Sequence, residues 1–315
     1  MVMNQRNFQG HAAVIVANTV FGLSVPVTND LVNHHFTPNG YMFFRCLGAT
    51  LIFWLLAALM PKEKVERKDL LIIVVGGMVG FAISQTFAAW ALAFTQPVYF
   101  SLLATLTPIA VMLLAAAFIN EKITGLKAVG VLIGIAGAML MVVMGWTSGT
   151  GKNDLLGISL ALLSLLTWAI YLVITGKVSA KYSAVTQMKW VFLASTIIVI
   201  PFGWMMSAML GEGAVNYSEL LCQPLYTESS MLWGVAEMAF IIIFATVLGF
   251  FFIPYAMARI PATTVSVYTN LQPVVASVVA FAIGQDVLTW DKPVAGVLVL
   301  LSAYIVTVAA NRPNA

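Results

Sequence analysis

Apolar stretches of about 20 residues recur along the chain, each closed by a short polar turn. That is the length an α-helix needs to cross a hydrocarbon core roughly 30 Å thick. Ten such stretches fall near 11–32, 39–60, 70–92, 97–119, 126–146, 155–177, 187–210, 231–256, 262–284 and 292–311. Most connections between them are short, as between antiparallel helical neighbours. The exception runs from Gly211 to Ser230 and carries Glu212, Glu219 and Glu228 but no Lys or Arg. The pattern predicts an all-α protein of ten membrane-spanning helices.

A second pattern lies over the first. Ser101, Thr105, Pro108 and Glu121 in the fourth stretch recur as Ser266, Asn270, Pro273 and Asp286 in the ninth, 165 residues later and without a gap. The chain therefore reads as two copies of one five-span unit, residues 1–150 and 151–315. Duplicated units of this kind occur mainly in transporters.

Composition agrees with lipid as the solvent. Of the 315 residues, 61% are hydrophobic and 9% are charged, against about 25% charged in an average soluble domain. A soluble chain could not cover that much apolar surface. The net charge of +3 is small and the basic residues lie in turns, so nucleic acid is not an expected partner. Cys46 and Cys222 suggest no disulfide framework. The first apolar run is too long for a signal-peptide core and is read as a retained anchor.

Charge placement sets the expected orientation. With both termini inside, the cytoplasmic side carries Arg6, Lys62, Lys64, Arg67, Lys68, Lys122, Lys127, Lys177, Lys181, Lys189, Arg259 and Arg312, and the outer side only Lys152 and Lys292. This is a strong positive-inside bias, and it predicts a multi-pass protein of the cell (inner) membrane with both termini cytoplasmic. Five is an odd number of spans, so the second unit enters the membrane from the opposite side. The expected fold is two inverted five-helix repeats, the layout in which one central site faces either side alternately.

The residues that carry the repeat also carry a resemblance. Ala91, the run Leu102-Leu103-Ala104-Thr105-Leu106-Thr107-Pro108, then Ile119-Asn120-Glu121-Lys122-Ile123-Thr124 and Gly130 to Gly137 resemble the EamA family, the ten-helix branch of the drug/metabolite transporter superfamily. In the second half, Ala256 to Arg259, Ile260-Pro261-Ala262, Asn270-Leu271-Gln272-Pro273 and Asp286 to Gly296 are similar to the second EamA repeat. Two positions depart from the pattern. Gln272 precedes the second proline where an acidic residue is usual, and Asp286 replaces a Glu. The resemblance implies a secondary exporter of small metabolites, among them amino acids or related amines and drugs, without a cofactor.

Candidate chemistry lies inside the spans. Pro108 and Pro273 each remove a backbone donor, freeing the carbonyls of Ala104 and Thr269; in lipid this requires neighbouring protein, a hydroxyl or water to compensate. Ser101, Thr105 and Pro108 share one helical face, as do Ser266, Asn270 and Pro273, and these faces are candidates for a cavity wall together with Gln272. Their bland reading is helix packing around a kink. Arg45 and Glu237 lie about six residues, roughly 9 Å, from the outer ends of their spans. Charges at that depth usually face the protein interior or a water-filled path. Glu237 could hold an amino group or a coupling proton and Arg45 a carboxylate; equally, the two could form a static ion pair, or Arg45 could snorkel outward. Asn18, Gln85, Trp90, Trp168, Tyr171 and Tyr268 complete the expected solute-binding set, the aromatic rings being suited to an amine. Trp54, Trp146, Trp190, Trp233 and Trp290 fit an interfacial belt. Gly76 and Gly80, with Gly130, Gly134 and Gly137, form small-residue faces suited to close packing within one chain or in a homodimer. His34 and His35 are adjacent, which is no metal-ligand spacing without further partners.

Other classes lack their signatures. There is no GxxxxGK[ST] loop for an ATP-driven pump, no HExxH motif for an intramembrane hydrolase and no deep lysine for a retinal receptor. Neither a filter motif nor a charged ring for a channel is present. An enzyme is not expected. The alternative to a solute exporter is a lipid-handling flippase or a membrane scaffold.

Overall fold

The computed structural model describes residues 5–104, 106–119, 154–210 and 228–284, with isolated positions between 125 and 136 and between 290 and 305. Thr105, Glu121, Gly134, Gly137, Asp286, most of the fifth and tenth spans and the segment 211–227 lie outside the described residues. All regular structure among the described residues is helical. The protein is an all-α membrane protein with the ten-helix architecture of two repeats.

In chain order the helices are α1 (Gln5–Asp30), α2 (Pro38–Ala58), α3 (Arg67–Gly77), α4 (Ser84–Phe94), α5 (Pro97–Ala104), α6 (Thr107–Ile119), α7 (Asp154–Ser179), α8 (Ala184–Met209), α9 (Glu228–Phe240), α10 (Gly249–Met257), α11 (Ala262–Val267) and α12 (Leu271–Ala282). Seven spans among the described residues are long and apolar enough to cross a membrane. Their outer surfaces expose Leu51, Leu55, Phe118, Ile197 and Leu232, which suits lipid and would be costly in water. Local chemistry sets several ends. Thr37 caps α2, its hydroxyl accepting from the Gly40 N–H at 3.1 Å, with Pro38 at the first helical position. Ser183 caps α8 in the same way through the Thr186 N–H.

Packing follows the repeat. The first span of each unit lies on the third span of the other: α1 packs on α10, and α7 on α4. The two second spans, α2 and α8, pack on each other, and α5 crosses α12. The third spans are bent alike. Residues Met78–Ile83 between α3 and α4, and Ile241–Leu248 between α9 and α10, are wound as π-helix; adding the repeat offset of 165 to the first places it on the second. Such widened turns recur at functional sites.

The fourth and ninth spans are each interrupted near their prolines. α5 ends at Ala104 and α6 starts at Thr107, so Pro108 falls in the first turn of the second piece, where its missing N–H removes no hydrogen bond. The freed carbonyl of Ala104 accepts the Thr107 hydroxyl at 2.6 Å, so a hydroxyl supplies the replacement, one of the options the sequence left open. In the ninth span a 3-10 turn over Tyr268–Asn270 separates α11 from α12. Both breaks lie at the same place in the repeat, the arrangement of discontinuous helices found around transporter binding sites.

Glycines bring the third span close to the sixth and seventh. A methyl group on Gly76 would lie 2.6 Å from Thr175 Cγ2, one on Gly77 2.8 Å from Val191 Cγ2, and one on Gly80 2.1 Å from Tyr171 Cβ. The Gly76/Gly80 face is thus consumed inside the protomer and is not free for a homodimer contact.

The two ends of the bundle differ. At the lysine-rich end, Asp69 accepts from Lys181 Nζ at 3.0 Å and from the Tyr182 hydroxyl at 2.9 Å, while the Ser183 N–H and hydroxyl donate to Glu63. Lys189 lies over Trp54 and Trp190. The Asp69 carboxylate holds the Lys181 ammonium above its ordinary range. Its contribution is therefore complete below the ordinary lysine value of about 10.4 and is lost only as pH rises through the raised value. Raising pH from neutral to about 9 is expected to leave this contact intact, which accessibility of a cysteine placed at Val65 to a charged thiol reagent would check.

Candidate functional site

The described residues line an open cavity between the two units, with about 90 Å³ of free interior, room for several waters or a small solute. α1 contributes Phe21, Ser24 and Thr28, α2 Tyr41 and Arg45, α4 Ser84, Gln85 and Leu92, α7 Ser164 and Trp168, and α10 Phe250. Both broken spans contribute at the break: Ala104 and Thr107 from the fourth, Thr269 and Gln272 from the ninth. These four positions are repeat-related, since 104 and 107 become 269 and 272 on adding 165. Gln85 and Phe250, on the bent third spans, are related in the same way.

Arg45 is buried, with 4% of its surface exposed. Its Nε donates to the Thr246 hydroxyl at 2.7 Å, and Nη1 donates to the Tyr41 hydroxyl at 3.1 Å and to Gln85 Oε1 at 3.0 Å. Thr246 sits in the π-helical turn and passes its own proton to the Ile241 carbonyl five residues back, so the widened turn aims the acceptor at the guanidinium. The Phe81, Phe250 and Tyr41 rings surround the cation with centroids 5.2, 5.6 and 5.7 Å from Cζ. Arg45 makes no ion pair among the described residues, and its Nη2 donors are uncommitted there. A guanidinium carries five donors in a planar fork, so part of this fork is unengaged among the described residues beside the cavity.

Below the cavity, towards the lysine-rich end, Phe81, Phe192, Phe250 and Phe53 pack as a cluster, with Phe81–Phe192 at 4.4 Å and Phe81–Phe250 at 4.7 Å between centroids. Trp168 stands edge-on to Phe250 at 5.6 Å and stacks on Tyr171 at 5.0 Å.

The remaining sequence-derived candidates divide. Gln85, Trp168 and Gln272 line the cavity beside Arg45. Asn18 is one step behind, fixing Gln272 by accepting its Nε2 proton at 2.7 Å while donating to the Val14 carbonyl. Trp90 is buried away from the cavity, and its indole N–H donates to Asn39 Oδ1, whose amide donates to the Gly203 carbonyl and Ser207 hydroxyl. Tyr171 lies in the core against Gly80. The Tyr268 hydroxyl pairs with His11 Nδ1 at 2.7 Å near the lysine-rich end. Asn270 is not among the lining residues. The wall of the fourth span is also one residue away from the expected face: Ser101 is fully buried in packing, and Phe100, Ala104 and Thr107 face the cavity instead. α5 packs against α12.

Arg45 and Glu237 do not pair. Arg45 is engaged with Thr246, Tyr41 and Gln85, whereas Glu237 lies with Asp30 and His35 at the end of the bundle away from the lysine-rich loops. Thr246 was not singled out by the sequence, because one threonine in a run of Ile, Phe and Val carries no motif.

The Asn39 hub gives one measurable consequence. Asn39→Leu leaves the buried Trp90 N–H without its acceptor, at a cost of about 1–3 kcal/mol. A lower melting temperature in detergent is expected, with partial recovery when Trp90→Phe is added; additive losses would show that the bond contributes nothing.

Comparison with known proteins agrees with this architecture. The profile of the EamA-like transporter family matches residues 8–143 and again 155–308. A protein of Archaeoglobus fulgidus named an uncharacterized transporter is 25% identical over 78% of this chain and 80% of its own length. A protein of Streptantibioticus cattleyicolor named a probable terminal-alkyne amino-acid exporter is 24% identical over 77% of this chain and 74% of its own. One solved crystal structure superposes with a TM-score of 0.61 at 18% identity, covering 99% of this chain and all of the other, a likeness of fold. With two family matches that together cover most of its length, the chain belongs to the EamA-like transporter family.

Proposed function

We propose that the protein exports small carboxylate-bearing metabolites, of the amino-acid class, through the inner membrane by alternating access. The observation that carries this reading is Arg45: a buried cation facing a cavity, held rigidly by three hydrogen bonds and lacking a carboxylate partner among the described residues. A charge so placed is costly unless a counter-charge arrives. A solute carboxylate would complete the fork through Nη2. Trp168 and Phe250 offer faces for an ammonium group or apolar side chain, and Gln85, Thr107 and Gln272 offer neutral polar contacts. Outward direction draws on the name of the Streptantibioticus relative and on the family resemblance.

The structure suits one state of the cycle. The phenylalanine cluster and the Asp69–Lys181 contact stand between the cavity and the lysine-rich end, which the positive-inside bias makes cytoplasmic. Release inward or loading from inside then requires these contacts to part while the repeat-related ones at the other end close.

Purified protein in proteoliposomes tests the reading with a panel of labelled amino acids, their amides or esters, simple amines and a fluorescent lipid. Saturable flux of free acids, with amides and esters at least about tenfold weaker, is expected, as for the loss of a charge-assisted contact. Equal flux of esters would remove the carboxylate requirement. Movement of lipid alone would replace the exporter with a flippase.

A further inference from the structure

We propose that Asp30, His35 and Glu237 form a binding site for a divalent transition-metal ion of the Zn2+ type, at the end of the bundle opposite the lysine-rich loops. The site stands apart from the central cavity and from whatever solute that cavity carries.

Three elements bring the ligands together. Asp30 closes α1, His35 ends the π-helical turn Leu31–His35 that follows it, and Glu237 lies in α9 of the other unit. One ligand atom from each residue lies within 4.8 Å of the other two. His35 Nε2 is 3.6 Å from Asp30 Oδ2. Bonds of about 2.0–2.2 Å to a tetrahedral ion put ligand atoms roughly 3.4 Å apart, so closure needs only small side-chain rotations. Imidazole with two carboxylates is a donor set for Zn2+ and its neighbours rather than for Mg2+ or Ca2+, and three protein ligands leave one position open for water.

Two further features indicate a built site rather than a chance meeting of acids. His35 has only 8% of its side chain exposed. Its Nδ1 edge lies against Gly234, where a methyl group would sit 2.7 Å away; the glycine lets the ring lie flat on α9 with Nε2 turned to Asp30. Independently, Glu237 Oε2 is shielded from solvent and has no hydrogen-bond partner, although a carboxylate oxygen in such a place normally finds a donor or a cation. His34, the adjacent histidine, is different. It is 63% exposed and binds the other oxygen of Asp30, so it braces the carboxylate from outside the cluster.

The placement also has a counterpart. At the lysine-rich end, Asp69 near the start of the third span meets Lys181 just after the sixth. Here Gly234 and Glu237 near the start of the eighth span meet His35 just after the first; Asp69 plus 165 is Gly234. The same junction between units is thus closed by a fixed lysine at one end and by a metal-ligand set at the other.

Thermal unfolding of the full chain in detergent, after chelator treatment, tests the site with Zn2+, Mn2+ and Mg2+ as the probes. Zn2+ at micromolar concentration is expected to raise the melting temperature saturably, at one ion per chain by equilibrium dialysis, and Mg2+ to do nothing. His35→Gln and Glu237→Gln should each weaken Zn2+ binding at least about tenfold, while His34→Gln retains it within about threefold. Gly234→Ala, which displaces the His35 ring without removing a ligand, should weaken binding as well. Absence of a saturable response, equal loss in His34→Gln, or retained binding in His35→Gln would overturn the proposal. So would a stabilisation produced by acid alone, which would make the cluster a proton site.

Discussion

Replacing Arg45 with Gln is expected to raise the transport KM for a carboxylate-bearing solute by about 10–100-fold. The magnitude follows from losing a hydrogen bond to a charged group, worth roughly 1.5–3 kcal/mol, at about 1.4 kcal/mol per decade. The fold should survive, because the partners are not orphaned. Thr246 keeps its bond to the Ile241 carbonyl, and the Tyr41 hydroxyl keeps the Thr28 hydroxyl at 3.0 Å. Removing an uncompensated buried cation even relieves a desolvation cost, so the melting temperature without solute should hold or rise. Arg45→Lys restores the charge but not the planar fork. One ammonium cannot reach Thr246 and Gln85 and still present a paired donor to the cavity, so an intermediate KM is expected. Proteoliposome kinetics and melting curves read both variants. An unchanged KM in Arg45→Gln would show that the guanidinium is structural only.

The second large effect is expected at Gly80. In Gly80→Ala the new methyl group would lie 2.1 Å from Tyr171 Cβ and 2.3 Å from its Cγ. A Cβ is fixed to the backbone and cannot swing aside, so the third and sixth spans must separate. Overpacking of this kind costs about 1–3 kcal/mol, and Gly80→Val should cost more. Gln85 and Trp168 stand on those two spans and face the same cavity, so transport should fall together with stability. Gly176→Ala is the control: its methyl group would meet only Ala262 Cβ at an ordinary 3.8 Å. A melting temperature equal for both variants would mean that the spans are not packed as closely as the distances state.

How far the candidate site was legible is clearest at the broken spans. Pro108 and Pro273 mark both breaks, because a ring nitrogen without a proton and a clash with the preceding turn are local facts. Which side chains then faced the cavity was not local. The expected faces were Ser101, Thr105 and Pro108, and Ser266, Asn270 and Pro273 with Gln272; the lining positions are Ala104 and Thr107, with Thr269 and the expected Gln272 in the other unit. That rotation depends on how α5 crosses α12, which spacing along one helix does not contain. Gln85, Trp168 and Gln272, singled out because polar or amphipathic residues deep in a span have few other roles, line the cavity. Trp90 and Tyr171 satisfied the same criterion and proved to be core, one bonded to Asn39 and the other packed on Gly80.

Arg45 and Glu237 show the same division. Depth and sign suggested a pair, yet each has its own surroundings. Arg45 lies among Thr246, Tyr41 and Gln85, and Glu237 lies beside Asp30 and His35. His34 and His35 looked inert as neighbours in sequence. Only the approach of the first span to the eighth brought a second carboxylate, Glu237, beside His35 and Asp30.

A ten-helix membrane protein of two related halves, with a proline within the fourth and ninth spans, could be read from the chain before any contact was known. Those features arise from hydrophobic length, backbone chemistry and repetition, all of which are written along the order of residues. Which polar groups meet was settled only by packing. In a bundle the rotation of each helix about its axis is set by its neighbours, through contacts such as Gly80 on Tyr171 and α5 across α12. That rotation leaves the Arg45 fork facing an open cavity.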